Sequence, residues 1–127
     1  MKFAFGMVLC MADAVTVTHW SLGMYAVSWK DSVRSRRMVL DLIKYHAMPS
    51  NNYQIVFLFD NDRTLTIDVA DAYYSTKFRD RMETHIYDMV SSAANGRVNG
   101  VLASSMEEAE TIKDIIMKAH EWEILLG

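Results

Sequence analysis

Residues 53–70, YQIVFLFDNDRTLTIDVA, place two apolar runs on either side of the polar centre Asp60-Asn61-Asp62-Arg63. Asp and Asn favour tight turns because their side chains bond nearby backbone amides. Two β-rich runs around such a centre predict an antiparallel hairpin. The first run, Ile55 to Phe59, is apolar at every position, so it is expected to be buried on both faces near the middle of a sheet. In the second, Leu65, Ile67 and Val69 alternate with Thr64, Thr66 and Asp68, the pattern of a half-exposed strand. A doubly buried strand needs strands on both sides and a covering layer, which directs the chain towards a sheet packed with helices.

The remaining chain supplies both. Lys2 to Met11 is a near-continuous apolar run and predicts another buried strand, with Ala12-Asp13-Ala14 as a turn. The start imitates a signal peptide with an A-x-A site, but its apolar stretch is only about nine residues and the whole is shorter than the usual minimum of about 15. Val15, Val17 and His19 alternate with Thr16, Thr18 and Trp20; after Gly23, Tyr25, Val27 and Trp29 alternate with Met24, Ala26 and Ser28. Both read as strands. Asp31 is placed to cap a helix with the stripe Val39, Leu42, Ile43 and His46, and Pro49 lies just past its end. Ser75 or Thr76 opens a second helix, with Phe78, Met82, Ile86, Met89 and Ala93 on one face and Asn95-Gly96 at its end. Val101 to Ala103 predicts a short buried strand. Ser105 and Glu108 form a capping box for a third helix with the stripe Ala109, Ile112, Ile116 and Ala119, and Trp122, Ile124 and Leu126 alternate as a final strand.

The predicted order is β-β-β-α-β-β-α-β-α-β. From Met24 to Ser104 it contains β-α-β-β-α-β, the order of the ferredoxin-like split βαβ unit. The expected fold is therefore α+β: one domain over residues 1–127, with a mixed, mainly antiparallel sheet of about six or seven strands and three helices.

Composition narrows the function classes. The chain has 127 residues, 51% hydrophobic and 23% charged, an ordinary globular balance. One cysteine, Cys10, leaves no internal disulfide and no Cys-based zinc site; it suits a reducing compartment, and a cytoplasmic location is expected. A net charge of −3 argues against strong nonspecific nucleic-acid binding by the whole domain. No apolar run approaches the ~20 residues of a membrane span. The ten methionines suit irregular core filling first.

The stretch Asp60-Asn61-Asp62-Arg63-Thr64-Leu65, after a buried strand, resembles the first motif of the haloacid dehalogenase superfamily. That resemblance implies Asp60 as nucleophile, Asp62 as acid/base, Thr64 as a supporting residue and Mg²⁺ as the cation that offsets the phosphate charge. Val101-Leu102-Ala103-Ser104 is similar to the family's later strand ending in Ser or Thr. The chain departs from the pattern elsewhere. Arg63 stands where glycine is usual, about 50 residues precede the motif, and no later lysine or acidic metal-binding motif follows. The hairpin is the preferred reading.

His19-Trp20-Ser21-Leu22 resembles one half of the paired His-x-Ser/Thr signature of two-histidine phosphoesterases. His46, His85 and His120 supply no second copy, and two histidines are needed to take and give a proton. Lys30, Arg34, Arg36 and Arg37 put four cations within eight residues. Such a cluster can hold phosphates, with Trp20, Tyr25 or Trp29 available for stacking, or can simply be a solvated helix face. Tyr73 and Tyr74, with Tyr87 on the outer face of the second helix, are candidates for a partner interface.

Nucleophilic Cys/His or Ser/His/Asp arrangements, zinc motifs and phosphate-cradling glycine loops are absent from the sequence. The expected function is binding without catalysis: recognition of a protein or a small anionic ligand by a homo-oligomer, with no metal or cofactor. Such a domain suits an accessory, inhibitor or sequestering protein, of a virus or mobile element among others. The candidate ligand-binding residues are Lys30, Arg34, Arg36, Arg37, His19 and Trp20. Two alternatives stand beside this. One is a divergent Mg²⁺-dependent phosphohydrolase using Asp60 and Asp62; the other is an RNA- or nucleotide-binding domain using the Arg34–Arg37 cluster.

Overall fold

The computed structural model describes residues 14–30, 33–51, 53–69, 81, 84, 87, 90 and 97–126. Five strands are found there: β1 (Val15–Ser21), β2 (Met24–Trp29), β3 (Gln54–Phe59), β4 (Thr64–Asp68) and β5 (Val98–Ala103). Two long helices accompany them, α1 (Arg36–His46) and α2 (Met106–Leu126). The sheet order is β1-β2-β5-β3-β4, and each neighbouring pair is antiparallel. The architecture is α+β, with one antiparallel sheet of five strands in place of the six or seven expected.

β5 sits at the centre, antiparallel to both β2 and β3, so β2 and β3 are parallel to each other and α1 connects them. This is a split βαβ arrangement, but the strand inserted between the parallel pair is the last of the described strands. In a ferredoxin-like unit the strand of the central hairpin takes that place; here β4 is at the outer edge. Element order along a chain does not determine order across a sheet, so the ferredoxin-like expectation holds only for the former.

Register explains the burial. Val27 and Phe57 both face Val101 across the ladders, and Val15, Trp29, Ile55 and Ile67 occupy the same side of the sheet. That side forms the core with Met38, Val39, Leu42 and Ile43 of α1 and Ala109, Ile112, Ile116 and Ala119 of α2, all buried. Both helix stripes are those predicted from spacing. Gly100 lies in the middle of β5, where a Cβ would come within 2.9 Å of the Val27 carbonyl oxygen. The close approach of the β2 backbone is what requires glycine there.

The helix caps were partly legible. Ser35, not Asp31, caps α1: its Oγ accepts the Met38 N–H at 3.1 Å. Ser105 Oγ accepts the Glu108 N–H at 3.1 Å as expected, but the Glu108 carboxylate accepts from the Ser104 hydroxyl at 2.9 Å and does not complete the box. Pro49 opens a short 3₁₀ turn, Pro49–Asn51.

The predicted last strand is corrected. Residues 122–126 continue α2, which runs for 21 residues to Leu126. No glycine or proline interrupts the chain between Ala119 and Leu126, and extending a helix fixes one residue per new hydrogen bond. The predicted strand over residues 2–11, Cys10, Asp31, Tyr73 and Tyr74 lie outside the described residues. So does most of the predicted second helix; of that segment, Thr84, Tyr87 and Val90 are described and are helical. Among the described residues no helix is both long and apolar enough to cross a membrane.

Candidate functional site: a basic cleft at the start of the first helix

The strand directions define two ends of the sheet. One carries the β1–β2 turn, the end of α1 and the start of α2. The other carries the end of β2, the start of α1, the β3–β4 turn and the start of β5. The second end brings the notable polar groups together.

The β3–β4 turn is a tight hairpin. The Asp62 N–H donates to the Phe59 carbonyl at 3.1 Å and the Phe59 N–H donates to the Arg63 carbonyl at 3.0 Å. Asp62 has φ 65°, the left-handed position that such three-residue loops require. Asn61 Oδ1 accepts the Arg63 N–H at 3.3 Å. Asp60, Asn61, Asp62, Arg63 and Thr64 are exposed. The motif-like segment is thus the exposed tip of a hairpin between β3 and β4. Among the described residues no three His, Cys, Asp or Glu side chains gather to hold a metal ion.

Asp60 nevertheless has a specific task. Its N–H donates to the Arg97 carbonyl at 2.9 Å, and its Oδ1 accepts the Arg97 N–H at 3.0 Å. The β3–β5 ladder has a bulge between Leu58 and Phe59. Asp60 prolongs the pairing past that irregularity with one backbone and one side-chain bond. Both polar groups of the Arg97 peptide backbone are held, which fixes the residue at the threshold of β5.

Arg97, Arg34, Ser35 and Tyr87 line an open cleft of about 210 Å³. Arg34 and Ser35 enter from the residues preceding α1, Tyr87 from the helical segment above, and Arg97 from the start of β5. Arg36 stacks its guanidinium over the Tyr87 ring at 4.6 Å from the centroid and donates to Thr84 Oγ1 at 3.4 Å. The first turn of α1 contains no acidic residue. Its amino end therefore adds positive dipole to a lining that already carries two guanidinium groups.

The six sequence-predicted ligand residues separate into three groups. Arg34 and Arg36 belong to the cleft and its wall. Lys30 is exposed nearby, its backbone bonded to Ala14 and Val33 and its side chain outside the lining; Arg37 faces Asp41 at 3.8 Å along the exposed side of α1. His19 and Trp20 lie at the far end of β1, where His19 packs edge-on against Tyr25 at 5.9 Å. Tyr87, expected on an outer face, is half-buried against the core under Arg36. Arg97 was not a candidate: it follows Asn95-Gly96 with no pattern of its own and reaches the cleft only through β5 pairing. Ser35 carried the general signal of a helix cap.

His46, at the end of α1, is buried and its Nδ1–H donates to the Leu42 carbonyl at 2.7 Å. Burial holds its pKa below the ordinary value, against the opposing pull of that bond and of Glu108. Tyr45 beside it is pushed up by burial, then by Glu108 and Glu107. Both residues lie at the end of the sheet opposite the cleft. No protein-family model matches this chain, and the comparisons with curated proteins and with solved structures found no match.

Proposed function

We propose that this chain is a binding domain without catalytic chemistry and that the Arg34–Arg97 cleft takes a small anionic ligand. The observation carrying this reading is the convergence of Arg34, Ser35, Tyr87 and Arg97, from three separate parts of the chain, on one cleft. Charged donors on a carboxylate or phosphate make hydrogen bonds roughly twice as strong as neutral ones. The cleft is smaller than the ~300–1,000 Å³ of sites for drug-sized molecules, which favours a small group. Calorimetric titration with inorganic phosphate tests the reading. The wild type is expected to bind with Kd on the order of 1 mM, and Arg34→Ala to bind at least about tenfold more weakly.

The domain is further proposed to act as a homo-oligomer through β1. Among the described residues this strand lies at the edge of the sheet, contains no charged residue over Val15–Ser21, and leaves Trp20 49% exposed beside the fully open Leu22. Uncharged edges invite pairing with another strand. The phosphohydrolase alternative predicts Mg²⁺-dependent phosphate release from p-nitrophenyl phosphate that Asp60→Asn abolishes. The binding reading predicts none from the wild type.

A further inference from the structure

We infer that the ligand of the cleft is a phosphate group bound as its dianion, free or as a small monoester; this rests on the anion-binding reading above. The inference follows from the kinds of group that line the cleft. Among the described lining side chains, Arg34 and Arg97 are donors only, and each carries a permanent positive charge. Ser35 Oγ already accepts the Met38 N–H, so its own O–H is left to donate. The Tyr87 phenol can donate as well, and its ring is braced by Arg36. No described lining side chain is a carboxylate that would repel an anion.

Such a lining selects for charge and for the number of acceptor atoms. A carboxylate offers one negative charge on two oxygens in a plane. A phosphate dianion offers two charges over three oxygens, which can meet donors arriving from separate directions. Here the donors come from the α1 entrance, the helical segment of Tyr87 and the start of β5, and are not arranged as a single planar fork. A phosphate monoanion brings one charge fewer to the same two arginines. The cleft is open to solvent, so an ester substituent on the fourth oxygen can leave through its mouth.

The ligand therefore sets a pH dependence. The second ionisation of a phosphomonoester lies near pH 6. If only the dianion binds, the apparent affinity of a monoester should rise about tenfold between pH 5.0 and 7.5, following the dianion fraction, and that of inorganic phosphate, whose second ionisation lies about one unit higher, should rise more steeply. Sulfate remains a dianion throughout and reports any change arising in the protein itself.

The test is calorimetric titration of the full chain with inorganic phosphate, phenyl phosphate, sulfate and acetate at pH 5.0, 6.0 and 7.5, repeated with Arg34→Ala and Arg97→Ala. Circular dichroism at each pH confirms that each protein is folded. The expected result is a rise of about tenfold for phenyl phosphate and a steeper rise for inorganic phosphate, a flat profile for sulfate, and acetate at least about tenfold weaker at pH 7.5. Both variants should lose phosphate binding. Phenyl phosphate binding as well as inorganic phosphate would identify the ligand as an ester, and phosphate alone would identify the free ion. Acetate binding as tightly as phosphate, or a phosphate profile that parallels sulfate, would overturn the phosphate inference while leaving the anion site standing. Binding of none of the four by the folded wild type would overturn both.

Discussion

Asp60 and Arg97 are joined reciprocally: the Asp60 N–H donates to the Arg97 carbonyl at 2.9 Å and the Asp60 carboxylate accepts the Arg97 N–H at 3.0 Å. The aspartate that most resembles a nucleophile thereby positions an arginine of the basic cleft. Asp60→Ala removes the acceptor and should cost about 1 kcal/mol of stability and weaken phosphate binding, whereas Asp60→Asn keeps an acceptor oxygen and should restore most of both. Urea denaturation and phosphate titration read the two effects. Equal loss in both variants would mean that the charge, not the hydrogen bond, matters.

Ser35 separates folding from binding. Its side chain caps α1 while lining the cleft. Ser35→Ala should lower stability by about 1 kcal/mol. Ser35→Asp preserves the cap and adds a negative charge among the arginines. Its stability should stay within about 0.5 kcal/mol of the wild type while phosphate affinity falls at least about tenfold. Undiminished phosphate binding by Ser35→Asp would exclude the cleft as the site.

His46 gives stability a pH dependence. Because burial lowers its folded-state pKa below the ordinary 6.5, the unfolded chain takes up a proton first as pH falls. Stability from this residue is present above about pH 6.5 and declines below it towards the folded pKa. Urea midpoints should drop between pH 7.5 and 5.5 in the wild type, and His46→Leu should have a shallower slope. An unchanged slope in the variant would remove His46 as its source.

The β1 edge predicts association. Light scattering coupled to size-exclusion chromatography should find the wild type as a dimer or larger species at about 100 µM and the double variant Thr18→Lys/Trp20→Lys as a monomer, since lysines on an edge strand block pairing. A wild-type monomer at that concentration would refute association through β1.

Much of this fold was legible because its signals are local. The alternation of Val15–Trp20 and Met24–Trp29 and the stripes Val39–Leu42–Ile43–His46 and Ala109–Ile112–Ile116–Ala119 each report a periodic face buried on one side. What was not legible is non-local. Nothing near Val98 says that β5 will separate β2 from β3, and nothing near Arg97 says that it will meet Arg34. The alternation of Trp122, Ile124 and Leu126 misled because five residues fit a strand as well as the end of an existing helix. The Asp60–Arg63 segment read correctly as a hairpin, but the bond from Asp60 to Arg97 depends on a bulge that no turn preference encodes.

The central claim, a small-anion site formed by Arg34, Ser35, Tyr87 and Arg97, is tested most directly by mapping backbone amide shifts of the ¹⁵N-labelled chain during titration with inorganic phosphate. The account predicts saturable shifts that are largest at the amides of Ser35, Arg36, Arg37 and Arg97, with little change at residues 19–25 at the opposite end of the sheet. No saturable shift at residues 34–37 and 97 up to about 20 mM phosphate, well above the ~1 mM affinity expected, would contradict it.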